Sequence, residues 1–386
     1  MRRRLLRLSV AALLAVIPSL LGGLTALLYT GPGERTLGRL VAGELSSRFA
    51  GRFAIERISG TFLGSLVLHR VRIQDSTGLP FASFERLEVN YEAARLLAGQ
   101  FVFEEVRLES PDVRLVALPG GRLNFHRIFR LGGGRGGGTP PLIEFRDLAL
   151  TDGRLDLWLN WSPPDTAPKT QAGVAAALAV ERSRPGRVVL ETVDGFRRVV
   201  VLDSLSLRLE RLLVSSPRGQ PLTFEVTHLS SVVSDPAVRI VHLAADGWTR
   251  RDTLALTVHQ GDLPATRVAG GGFITWPRGP LRYDLDLTAP SLDLADLRWI
   301  SPDFPSFSGQ SLIELRTRSD TENAYALKQL RLDGRQGHVE GDVTVLVDSR
   351  RGVGVTDMTL TIRDLDLDVP RPYLDTVPLD GTLTGT

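Results

Sequence analysis

The chain of 386 residues has no cysteine. That excludes a disulfide framework, thiolate metal sites and a cysteine nucleophile, and it suits an oxidising compartment. Aromatic residues amount to 6%, so the 42% hydrophobic content is mostly Leu, Val and Ala. Neither charge is in large surplus: 46 Lys plus Arg stand against 44 Asp plus Glu. The small excess has a location, in Arg2, Arg3, Arg4 and Arg7, with no acid before Glu34. The rest of the chain is slightly acidic. It therefore lacks the basic stripe with which nucleic-acid binders displace counterions, and no nucleic acid is expected as a partner.

Catalytic motifs are also missing. His69, His126, His228, His242, His259 and His338 are scattered, and none has the H-x-x-x-H spacing of a helical metal site. A zinc site would need several of them to converge through the fold alone. No G-x-S-x-G elbow occurs. The stretch LGGGRGGGTPP over 131–141 lacks the Gly-Lys-Ser/Thr of a P-loop, and Thr139-Pro140-Pro141 opposes a helix start there, so it reads as a loop. Most carboxylates fall at polar positions of alternating strands rather than as a glycosidase pair. Trp158, Trp161, Trp248, Trp276 and Trp299 read as packing residues. No catalytic residue, cofactor or metal is expected.

What is present begins with Leu8 to Tyr29, which carries no charge and is dominated by Leu and Ala. A membrane-spanning helix needs roughly 20 apolar residues, more than the core of a signal peptide. Residues 1–33 thus read as an arginine tag and a transmembrane anchor. The arginines place the N-terminus in the cytoplasm and the bulk of the chain across the membrane. The alternative is a long signal peptide that is removed. Over 34–51, Leu37, Leu40, Val41, Leu45 and Phe49 recur at three- and four-residue spacing, the mark of an amphipathic helix. It would lie at the membrane surface, cap a β domain, or do both.

From Arg52 onward the period is two, over segments 52–130 and 142–386. Leu205, Leu207 and Leu209 alternate with Ser206 and Arg208. Leu281, Tyr283, Leu285 and Leu287 alternate with Arg282, Asp284 and Asp286. Val343, Val345 and Val347 repeat the pattern, and so do Leu365, Leu367 and Val369. Such alternation makes strands with one apolar and one solvated face. Ser76-Thr77-Gly78, Pro119-Gly120-Gly121, Asp152-Gly153, Arg184-Pro185-Gly186 and Asp333-Gly334 read as turns between strands. Helical interruptions look short, Glu92 to Ala98 being the clearest. Long helices do not alternate with strands, which argues against a parallel α/β sheet. The chain stops within a strand pattern over 379–386, as a fragment or an edge awaiting a partner would.

The stretch from Ala54 to Phe129 carries a recognisable arrangement: IERISGTFLGSLVL over 55–68, VRIQD over 71–75, LEVNY over 87–91, ARLLAG over 94–99 and VRLESP over 106–111. With the anchor and the following helix, this resembles the N-terminal part of the TamB and AsmA-like family. The resemblance implies a single-pass inner-membrane protein of a diderm bacterium, with its bulk in the periplasm. It implies a mostly β fold in which an elongated, open, U-shaped sheet forms an apolar groove. It implies phospholipid passage toward the outer membrane, or assistance to outer-membrane protein assembly. An outer-membrane barrel partner is implied through a C-terminal region that this chain lacks. The groove candidates are Leu66, Leu68, Val71, Ile73, Leu205, Leu207, Leu209, Leu281, Tyr283, Leu285, Leu287, Val343, Val345 and Val347. Their partners would be phospholipid acyl chains.

An uncleaved anchor predicts that mass spectrometry of the mature protein finds the Leu8 to Tyr29 segment intact. A mature N-terminus beyond Tyr29 would show the segment to be a removed signal.

Overall fold

The structure is a computed structural model. It describes residues 34–36, 39, 41–43 and 46, and then residues 51–386 with breaks, the longest at 129–141 and 369–381. The anchor segment lies outside the described residues, and so does the 131–141 loop. Among the described residues no helix is long and apolar enough to cross a membrane.

Nineteen strands form one sheet. They are β1 (Arg52–Thr61), β2 (Ser65–Gln74), β3 (Pro80–Tyr91), β4 (Gln100–Glu109), β5 (Asp112–Val116), β6 (Leu142–Trp161), β7 (Val188–Thr192), β8 (Gly195–Ser215), β9 (Leu222–Ser234), β10 (Ala237–Ile240), β11 (His242–Arg250), β12 (Thr253–Asp262), β13 (Arg267–Thr275), β14 (Arg282–Asp293), β15 (Ser308–Thr317), β16 (Glu322–Gly334), β17 (Gly337–Asp348), β18 (Gly352–Asp366) and β19 (Thr382–Gly385). Neighbours in sequence are mostly neighbours in space. β4 with β5, β7 with β9, and β10 with β11 lie end to end, so nineteen strands make sixteen ranks. At about 4.8 Å per rank the sheet extends about 70 Å.

All pairings are antiparallel except those of β4 and β5 with β6. After Val116 the chain returns past β5 and β4 before β6 begins, opposite Gln100, at Leu142. Residues on both sides of the 131–141 loop therefore belong to one sheet. Among the described residues β1 pairs only with β2, and β19 only with β18, so the sheet does not close on itself.

A single layer cannot bury both of its faces. The chain's accessible surface is 24043 Å². A compact chain of its mass, 42.2 kDa, would expose about 15,000 Å².

Two expectations are corrected. Asp152-Gly153 is no turn: it lies inside β6, where Asp152 has φ of 53°. Arg184-Pro185-Gly186 follows a helix rather than a strand. Besides α1 (Ala93–Leu97), a thirteen-residue α2 spans Gln171–Ser183. Thr170 caps it by accepting from the Gly173 N–H, and the Ala-rich run favours helix. Only Leu178 is buried there, and Arg182 donates to the Val189 carbonyl of β7, so α2 packs beside β7.

The sheet keeps its apolar side chains together by a repeated device. Eight non-glycine residues have φ between 47° and 53°: Arg70, Ser110, Asp147, Asp152, Ser204, Gln329, Asp357 and Asp364. Each is the third residue of a tetrad that opens with an apolar residue. Examples are Leu68-His69-Arg70-Val71, Phe145-Arg146-Asp147-Leu148, Leu202-Asp203-Ser204-Leu205 and Leu327-Lys328-Gln329-Leu330. A plain strand would turn the fourth residue to the opposite face. The extra bulged residue returns it to the face of the first. A non-glycine residue in the left-handed region costs about 1–2 kcal/mol. Burying one Leu or Val contributes about 1.5–3 kcal/mol, and each bulge redirects a whole half-strand, so the bulge prevails.

Gln329 tests this. Gln329→Val should lower stability by about 1–2 kcal/mol, because a β-branched residue tolerates positive φ least. Gln329→Gly should stay within about 0.5 kcal/mol, strain relief offsetting the entropy of glycine. Urea-unfolding midpoints distinguish the two, and equal losses would contradict the bulge argument.

Candidate functional site

Residues paired directly across strands share a face, so the registers alone define what each face presents. One row begins Leu66–Val89–Val106–Leu148–Leu209. It continues Val226–Ala245–Val258–Gly270–Leu287–Ile313–Leu327–Val343. A parallel row runs Tyr91–Phe103–Phe145–Leu212–Phe224–Gly247–Leu256. It continues Gly272–Leu285–Leu315–Tyr325–Val345–Val355. Neither row contains a charged residue. A third, Ile58–Leu68–Leu87–Leu108–Leu150–Leu207–Leu229, covers the first half of the sheet.

Three positions in these rows are glycine; at Gly247 a Cβ would meet the Ala255 carbonyl oxygen at 2.3 Å and the Phe224 ring at 2.7 Å. Gly270 and Gly272 have φ of 143° and 150°, and a Cβ there would meet the β14 carbonyl oxygens of Asp286 and Asp284 at 2.1 and 2.0 Å. Only glycine allows this approach at these two positions, and at Gly271 between them a Cβ would meet the Leu256 carbonyl oxygen of β12 at 2.5 Å.

The opposite face is charged. Arg107 pairs with Glu105 at 2.8 Å and with Asp147 at 2.6 Å. Arg146 reaches Glu104 at 2.9 Å, Arg211 reaches Glu144 at 2.9 Å, and Lys328 reaches Glu314 at 2.6 Å. The Arg107 hydrogen bond holds the Asp147 carboxyl below the usual range. These pairs are solvent-exposed to varying degrees and contribute little stability individually. Their consequence is contrast: one face is ionic and the other is hydrocarbon.

Thirteen of the fourteen groove candidates fall on the apolar face. Leu205 and Leu209 are buried, and Leu207, Tyr283, Leu285, Leu287, Val343, Val345 and Val347 are half-buried. Leu281 differs: it precedes β14 and is 54% exposed. Leu66, Leu68, Val71 and Ile73 are on the face but are covered. The helix expected over 34–51 is helical at 34–36, 39, 41–43 and 46. Its Ala42 packs into a buried cluster with Ile55, Ile58 and Val71, flanked by Leu66, Leu68 and Ile73. The helix therefore closes the apolar face at the first three strands.

At the far half, Leu292, Phe307, Leu330, Leu332 and Leu365 form a second cluster. A 3-10 turn at Leu294–Leu297 folds Leu294 and Leu297 against it. Between these two covers, the rows from β8 to β17 carry the half-buried Leu and Val side chains. Leu315, Ile313, Leu327, Phe224 and Leu256 belong to this lining and were not among the candidates. Their registers show it; in sequence they stand in shorter or interrupted alternations.

The structure also juxtaposes His228 and His242, whose Nδ1 atoms lie 2.8 Å apart. Burial and His242 lower the pKa of His228. Among the described residues no group of three or more His, Asp or Glu side chains is arranged to hold a metal. His126 lies outside the described residues. No family model, curated protein or solved structure matches the chain.

On the charged face His338 donates to Asp333 at 2.5 Å and contacts Glu340 at 3.3 Å. The Asp333 hydrogen bond first, then that of Glu340, raises its pKa above the ordinary 6.5. A raised folded-state value means stability that is fully present below the ordinary value and lost as pH climbs through the raised one. His338→Gln should therefore lower the unfolding midpoint most at about pH 5.5 and least at about pH 9. An equal loss at both pH values would show the contact to be uncharged.

Proposed function

We propose that the apolar face is a conduit along which phospholipid acyl chains move, held to the inner membrane by the N-terminal anchor, with the sheet in the periplasm and delivery toward the outer membrane through a barrel partner. The observation that carries the reading is the pair of charge-free rows, continuous over more than a dozen ranks, on a sheet that has no second sheet packed on it among the described residues. Drawing a chain of about 16 carbons through water costs on the order of 12 kcal/mol, at about 0.8 kcal/mol per CH₂. An unbroken Leu and Val lining removes most of that cost at every step, while headgroups remain in water at the open side. Continuity is required, because one charged rank would restore a barrier of several kcal/mol. The helix over β1 to β3 sits where such a path would meet the membrane. No chemical step is needed.

A second reading rests on the free edge. Among the described residues β19 is paired on one side, and all four of its residues are exposed, so a client strand could be added there. In that case the protein acts as an assembly factor for outer-membrane proteins.

Photo-crosslinking residues at Leu207 and Leu285 should capture phospholipid in cells, while the flanking Arg208 and Asp286 positions should not. The reverse pattern overturns the conduit. Leu207→Asp with Leu285→Asp should abolish lipid flow, and flow that survives both charges is incompatible with it. Crosslinks from β19 to outer-membrane proteins, with lipid absent from the lining, would favour the assembly reading.

A further inference from the structure

The apolar lining contains one polar cluster, and its hydrogen bonds leave donors unused. Tyr283 (β14) and Tyr325 (β16) stand on the apolar face, two ranks apart. Leu315 of β15 pairs with Tyr325, and Leu285, two residues from Tyr283, pairs with Leu315. Their hydroxyl oxygens are 2.6 Å apart. Two phenols hold two O–H groups, and one hydrogen bond between them uses one. The second O–H has no partner among the described residues. Burial, then the Tyr325 hydrogen bond, raises the Tyr283 pKa, so its hydroxyl stays protonated.

One position further toward the strand ends, Thr317 and Asn323 pair across β15 and β16 on the same face. Thr317 Oγ1 accepts from the Tyr283 backbone N–H at 3.0 Å and donates to Asn323 Oδ1 at 3.0 Å. The Asn323 acceptor is thereby engaged, and its two Nδ2 N–H groups have no partner among the described residues. The cluster thus has spare donors on one phenol and on the Asn323 carboxamide, beside hydroxyl oxygens that can also accept. None of its four residues is charged, and the apolar rows through Leu285, Leu287, Leu315 and Leu327 begin beside it.

A ligand that suits this cluster carries acceptor-only, uncharged oxygens next to long hydrocarbon. We infer that Tyr283, Tyr325 and Asn323 form a subsite for the ester carbonyls of a diacyl glycerolipid, with the acyl chains on the adjoining Leu rows. This rests on the conduit reading and deepens it. A phosphate would call for charged partners, which the cluster lacks. A bare hydrocarbon would leave the donors desolvated and unpaired, which is unfavourable. The subsite therefore favours ester-linked glycerolipids over lipids without carbonyls, and it sets the depth at which they ride in the lining.

The test uses the full chain and two phosphatidylethanolamines with the same headgroup and chain length, one ester-linked and one ether-linked. Affinities are measured by displacement of a fluorescent phospholipid. The native chain should bind the diester about three- to tenfold more tightly, the worth of one or two net hydrogen bonds. Tyr283→Phe with Tyr325→Phe should lower diester affinity more than diether affinity and so shrink the preference by at least half, Asn323 accounting for the remainder. Asn323→Ala should reduce the preference on its own, which covers the case in which the double variant does not fold. Equal affinities in the native chain, or a preference that survives the variants undiminished, overturn the subsite and leave the conduit standing. Binding of neither lipid overturns both.

Discussion

A β-strand turns successive side chains to opposite faces, and everything in this sheet depends on how that period is managed. Strict alternation over strands of up to 21 residues would hold one face apolar only if the strands ran without a bulge. They do not. The sheet inserts an extra residue at intervals and places it in the left-handed region, and the apolar side chains return to the face they left. The cost per bulge is about 1–2 kcal/mol. Each bulge saves one half-strand of Leu and Val from exposure on the ionic side, and the balance favours the bulge wherever two or more such residues follow.

Bulges also reconcile curvature with lining. They bend and twist the strands that carry them. The first three strands make the step together, Ile55 to Ile58, Leu68 to Val71 and Phe84 to Leu87, so their ladders stay in register across it. Phe103 to Val106, Phe145 to Leu148 and Leu209 to Leu212 also step together, whereas at Leu327 to Leu330 one strand of the pair takes the step and the ladder shifts. The ionic face follows from the same geometry. Two consecutive polar side chains lie outside each bulge, which is how Glu56 with Arg57, His69 with Arg70, and Glu85 with Arg86 come to crowd one patch. Charge on that face and its absence on the other are one arrangement, and the conduit reading depends on both.

The alternation at Leu205, Leu207 and Leu209, at Leu285 and Leu287, and at Val343, Val345 and Val347 was legible because each set lies between bulges. So was the amphipathic helix, whose Val41 and Ala42 sit at helical spacing. Leu281 shares the alternation but stands one residue before β14 begins, where there is no ladder to fix its face, and it is exposed. The α2 helix was missed because Ala-rich segments carry no period, and the turn signal after it reads the same beside a strand. The parallel pairing of β4 and β5 with β6 has no local signature: antiparallel and parallel strands show the same alternation when one face is solvated.

By itself the sequence determined a β-rich chain with apolar and polar positions in alternation, no cysteine chemistry, and a charge-free N-terminal run marked by arginines. Those properties are local, set by side-chain type and by a period of two. Only the tertiary structure decided that the separate alternating segments belong to one sheet, which residues continue each apolar row, and that four of the lining candidates lie beneath a helix. It alone brought Tyr283 beside Tyr325, 42 residues apart, with one hydroxyl donor to spare. Register is a relation between strands, and a bulge changes it by one residue without leaving a compositional trace.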